Sequence, residues 1–160
     1  MQKFERANFE VKEYVESEHY GKFVFEPLER GFGTTIGNAL RRVLLSSLPG
    51  AAVFAIKMDG VYHEFTAIPG VVEDVTAIIL NIKKLILKIQ DDEVYTLRIS
   101  KRGPGEVTGA DIICPEGVEI LSKDQYICTL EEDGVLEMEL QARVGRGYVS
   151  ADTNKSLHQT

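Results

Sequence analysis

Hydrophobic and polar positions alternate at period two through the first part of the chain, where Phe9 and Val11, then Phe23 and Phe25, sit among Glu and Lys. Alternation puts one row of side chains on a half-buried face, so it predicts two strands separated near His19-Tyr20-Gly21. Pro27 lacks a ladder donor and ends the second strand, and Arg30-Gly31-Phe32-Gly33 makes a glycine-flanked turn. Thr34 and Thr35 offer an N-cap and Pro49-Gly50 a stop. Thr35 to Leu48 therefore reads as a helix of about fourteen residues, ~21 Å long.

After Pro49-Gly50 the period returns to two. Phe54, Ile56 and Met58 lead to Asp59-Gly60, a hairpin-turn signal, with Val61 to Phe65 as the returning strand. Pro69-Gly70 precede a second amphipathic helix, in which Val72, Val75, Ile79, Ile82 and Ile86 recur at helical spacing. Glu73 and Asp74 open it and Lys83, Lys84 and Lys88 follow towards its end, a charge order that suits the helix dipole. Val94–Ile99, Val118–Leu121 and Tyr126–Leu130 read as strands, broken by Arg102-Gly103-Pro104-Gly105 and Asp133-Gly134. Leu136, Met138, Leu140, Ala142 and Val144 give the cleanest alternation in the chain. The expected class is α+β: N-terminal strands plus one helix over residues 1–49, a strand-rich unit with one amphipathic helix over 50–152, and a polar tail or linker over 153–160.

The chain has 160 residues, 44% hydrophobic and 27% charged, which is ordinary globular composition. No apolar run approaches the ~20 residues a membrane helix needs. The N-terminus carries acids from the start and lacks an apolar core, so no signal peptide is expected and the location expected is cytoplasmic. Net charge is −7, and all of it lies beyond Leu48. An acidic surface repels phosphate backbones, so direct sequence-specific DNA binding by this segment is not expected. Cys114 and Cys128 form no CxxC and have no clustered histidine, which points to a reduced pair and no metal site.

Catalytic signals are absent. His19, His63 and His158 belong to no recognised signature, and Asp91-Asp92 and Glu131-Glu132 read as solvated turns. No calcium or P-loop pattern occurs, and no cofactor is expected. One alternative is carried forward: Gly31, Gly33 and Gly37 follow a strand and open a helix, the context of a nucleotide site. Their spacing is GxGxxxG, however, and an antiparallel hairpin follows where a parallel unit is needed.

The helix itself divides into sectors. Ile36, Leu40, Val43, Leu44 and Ser47 share one face, the pattern of a core stripe. Leu45 falls opposite, flanked by Asn38, Arg41 and Arg42. This second face fits either a solvated surface or a protein-binding patch, since arginine is enriched at interface hot spots.

The continuous stretch from Leu28-Glu29-Arg30-Gly31-Phe32-Gly33 through Asn38-Ala39-Leu40-Arg41-Arg42-Val43-Leu44-Leu45 to Pro49-Gly50 resembles the N-terminal domain of the bacterial RNA polymerase alpha subunit. Four collinear blocks extend the resemblance over about residues 20–152: Asp59–Phe65, Pro69–Asp74, Ile79–Lys83 and Gly145–Val149. It implies a non-catalytic assembly subunit of a nucleotidyltransferase complex, dimerising with a second alpha chain and binding the beta and beta-prime subunits. Carried over, beta would meet Arg42, Leu45 and Lys83, with Asn38 and Arg41 as neighbours on the helical wheel. Phe32, Ile36, Leu40 and Val43 would serve dimerisation, and the inserted subdomain would begin near residue 50. In this family the domain returns after the last block to complete the dimerisation core. The stripe at Ile36, Leu40 and Val43 is therefore expected to lack its normal cover here, and the chain alone to dimerise less well than a complete subunit.

Overall fold

A computed structural model describes residues 6–18 and 20–158, so the expected break at His19 lies outside the described residues. The fold is mixed α+β and divides into two compact units, Met1–Ser47 and Leu48–Thr160.

In the first unit β1 (Asn8–Val15) and β2 (Tyr20–Glu26) pair antiparallel, with Phe9 opposite Phe25 and Val11 opposite Phe23. The Phe9 and Phe23 rings stack with centroids 5.6 Å apart, within the range of favourable aromatic pairs. The helix α1 spans Phe32–Ser46, starting earlier than Thr34 or Thr35 would set it. Gly31 is the reason: its φ of 90° is left-handed, and the turn it makes lets Phe32 N–H donate to Glu29 O at 3.0 Å. No described residue of this unit is buried, and the expected core stripe on α1 is open, with Leu40 56% and Leu44 60% exposed. Its amphipathic pattern is real, but of that stripe only Ile36 is even half-buried.

The second unit has a closed core. Its main sheet runs in the order β5 (Tyr95–Arg102), β9 (Val135–Arg146), β3 (Pro49–Met58), β4 (Leu87–Ile89) and β7 (Val118–Ile120), every neighbouring pair antiparallel. On β9, Leu136, Met138, Leu140 and Ala142 are buried while Glu137 and Glu139 face outward, as the alternation predicted. The outer face is stitched by Arg98 to Glu139 at 3.1 Å and by Ser100 donating to Glu137 at 2.6 Å. The helix α2 (Val75–Ile82) buries Val75, Ile78 and Ile82 in the same core, and β6 (Gly105–Thr108) pairs with β8 (Tyr126–Leu130) beside it.

Three expectations fail here. Val61–Phe65 forms no strand: Asp59-Gly60 does turn the chain, with Val61 N–H donating to Met58 O, but β3 takes β9 as its partner instead. The second helix is shorter than Val72 to Ile86, because Asp74 caps it, accepting from Ala77 N–H at 2.7 Å, and Leu87 enters the sheet. Most of the stretch 153–160, expected as a polar tail or linker, belongs to a helix, α3 (Ala151–His158), begun by Ser150 accepting from Thr153 N–H at 3.3 Å. Its Asn154 accepts from Arg143, whose guanidinium lies 5.2 Å from the Phe54 ring centre.

Two further contacts hold loops to this frame. Lys101 donates to both carboxylate oxygens of Asp111, at 2.7 and 2.8 Å, and Thr108 N–H donates to one of them. Burial raises the Asp111 carboxyl, but Lys101 and Thr108 together outweigh it and hold the group below its ordinary value. At Gly70, whose φ is 75°, an added Cβ would stand 2.6 Å from the Gly134 Cα, and Gly134 would in turn drive a Cβ into the Gly70 carbonyl. The two backbones also exchange bonds nearby, Glu131 N–H donating to Gly70 O at 2.9 Å. Gly134→Ala is expected to destabilise the second unit by about 2–3 kcal/mol, the range of overpacking costs; an unchanged urea midpoint would contradict this contact.

Candidate docking site

On α1, Asn38, Arg41, Arg42 and Leu45 stand at i, i+3, i+4 and i+7, so one helical face carries all four. Leu45 is 62% exposed, and among the described residues neither arginine has an ion-pair partner. Two unpaired guanidiniums beside an open leucine make a surface that is apolar at its centre and cationic at its rim. The four dimerisation candidates, Phe32, Ile36, Leu40 and Val43, follow at i, i+4, i+8 and i+11 on the same helix. Ile36 is half-buried and the other three are exposed. The helix is ~22 Å long, enough to present both sets. Ser46 Oγ donates back to Arg42 O at 2.6 Å and Ser47 N–H to Val43 O at 2.9 Å, closing its last turn.

Lys83 belongs to the second unit. It is the C-terminal cap of α2, is exposed and has no ion-pair partner among the described residues. Leu80 and Lys84 share its side of that helix, with Leu80 55% exposed. Before α2, the loop from Val61 to Ile68 leaves Tyr62 94% and Phe65 80% exposed while its backbone is fixed. Thr76 donates to Glu64 O at 2.8 Å and Val75 N–H to Thr66 O at 3.1 Å. Sequence reasoning passed over this loop because it took the segment for a strand.

It also passed over a polar cluster. Glu73 accepts from the Tyr126 hydroxyl and, at 2.8 Å, from Thr129 N–H, while the Tyr126 and Thr129 hydroxyls are 2.6 Å apart. Burial and the Glu73 bond push the Tyr126 phenol up. The partners lie 53 residues apart in sequence, and no local pattern links them.

The glycine alternative loses its geometry. Gly33 and Gly37 lie inside α1, where an added Cβ would meet nothing within 4 Å. The strand before them pairs antiparallel, so no βαβ crossover frames the turn. Among the described residues no group of three or more His, Cys, Asp or Glu stands where it could hold a metal ion. No helix among them is long and apolar enough to cross a membrane.

Residues 56–160 match the RNA polymerase Rpb3/RpoA insert domain. The chain belongs to the bacterial RNA polymerase alpha-subunit family. It is 55% identical over 156 residues to the DNA-directed RNA polymerase subunit alpha of Alkaliphilus metalliredigens (strain QYMF), an alignment that takes in 98% of this chain. The chain spans about half (50%) of the length of that relative.

The cysteines offer a check on the core of the second unit. Cys128 is fully buried, and burial followed by the Glu73 charge pushes its thiol up to about 12, while Cys114 is half-buried. At neutral pH an alkylating reagent is expected to leave Cys128 unmodified in the folded chain and to modify both thiols in denaturant. Labelling of Cys128 in the folded chain at the rate of an unfolded thiol would contradict the packing of β8.

Proposed function

We propose that this chain is the assembly part of a transcription complex: it pairs with a second alpha chain and carries the beta and then the beta-prime subunit, without supplying the chemistry of RNA synthesis. The observation that supports this most directly is α1. One of its faces is an uncovered apolar stripe, and another sets Leu45 among unpaired arginines. Uncovered apolar stripes of this kind mark surfaces that another chain covers. A leucine with arginines around it has the composition of an interface hot spot.

In this reading Phe32, Ile36, Leu40 and Val43 meet the second alpha chain, residues 1–49 being part of the dimerisation subdomain. Asn38, Arg41, Arg42 and Leu45 meet beta, and Lys83 adds a contact from the inserted subdomain. Membership in the family supports the assignment, as does the match of its signature residues with the exposed positions of α1. Bacterial cytoplasm, with the complex on the nucleoid, is the corresponding location.

Titration of the complete alpha subunit with purified beta subunit tests the reading. Arg42→Ala with Leu45→Ala is expected to weaken the complex about thirtyfold or more, the loss of a hot spot worth ~2 kcal/mol. Affinity equal to that of the parent subunit would sink the assignment of this face.

A further inference from the structure

We propose that Asn81 and Glu73 are positioning residues, which fix the rotation of α2 about its axis and so aim the Leu80–Lys83 face at the beta subunit. The proposal rests on the reading of Lys83 given above.

Apolar burial is non-directional. Val75, Ile78 and Ile82 hold α2 against the core, but a helix of 8 residues has only about two turns of stripe, which specifies depth better than rotation. The polar bonds do specify rotation, and at both ends they run to the same strand, β8. At the helix entrance Val72 N–H donates to Thr129 O at 3.0 Å, and Glu73 accepts from Thr129 N–H at 2.8 Å and from the Tyr126 hydroxyl. In the last turn Asn81 Nδ2 donates to Ile127 O at 3.0 Å. Asparagine is a poor helix-interior residue, and this bond accounts for its place there.

On the wheel Asn81 flanks the buried stripe, three residues after Ile78. Thr76, Leu80 and Lys83 then follow at i, i+4 and i+7 on the outward face. Thr76 is itself tied to Glu64 O at 2.8 Å. Turning the helix by one residue, ~100°, would break the Asn81 bond and swing the face that Leu80 and Lys83 share away from its outward position. Lys83 and Lys84 are exposed and, among the described residues, without an ion-pair partner, in the acidic part of the chain. A partner offering carboxylates beside an apolar contact fits that face.

The test is a double-mutant cycle in the complete alpha subunit, reading affinity for purified beta and thermal unfolding together. Asn81→Leu removes the donor, keeps the volume and favours the helix. It is expected to weaken binding about tenfold while the melting temperature holds. In a Lys83→Ala background the same substitution is expected to have a clearly smaller effect, because part of its action runs through Lys83. Tyr126→Phe, which removes one of the two bonds to Glu73 at the other end, is expected to weaken binding by a smaller factor and carries the test should Asn81→Leu fail to fold. Unchanged affinity in these variants, or a loss that adds in full to that of Lys83→Ala, overturns the positioning role alone. If Lys83→Ala by itself leaves affinity intact, the reading of Lys83 falls and the positioning role with it.

Discussion

The twelve residues of β9 carry the second unit. They pair with β3 on one side and β5 on the other, and their inward side chains, Leu136, Met138, Leu140 and Ala142, are the floor of the core. Each large aliphatic side chain so buried contributes about 1.5–3 kcal/mol. A one-residue slip would exchange these for Glu137 and Glu139, so burial itself locks the register. The rest of the unit is placed by that floor: α2 packs onto it, β6 and β8 close the side, and the Gly70–Gly134 contact brings the loop before α2 close enough to be tied down.

The first unit obeys the opposite condition. Its hairpin and α1 have the same amphipathic patterning, yet no described residue in it is buried. Surface ion pairs such as Lys12 with Glu10 at 2.7 Å are too exposed to compensate. Patterning without burial is the physical signature of a surface whose cover comes from elsewhere. The assembly role proposed above gives a reason for such a surface. In that proposal one unit supplies a stable platform, and the other supplies faces completed by association.

How much was legible in the sequence follows from how local each determinant is. The strands of the hairpin, the body of α1 and the alternation along β9 are set by neighbouring residues and were readable. The start of α1 was misplaced because a left-handed Gly31 makes the turn, and no threonine side chain is needed. Val61–Phe65 was misread because a turn signal says nothing about the partner of β3, which lies some eighty residues on in β9. The face of α1 proposed for docking could be drawn from the sequence, since four residues on one helix define it. Glu73 with Tyr126 and Asn81 with Ile127 were not, since each pair meets only after the chain has folded.

Native-state hydrogen exchange on this chain tests the contrast between the units most directly, because amide protection reports local stability. The account predicts strongly protected amides along β9 and its partners, together with fast exchange through α1, from Phe32 to Ser46. Protection of α1 equal to that of β9 in the free chain at low concentration would mean the first unit is stable without cover, and would contradict the account.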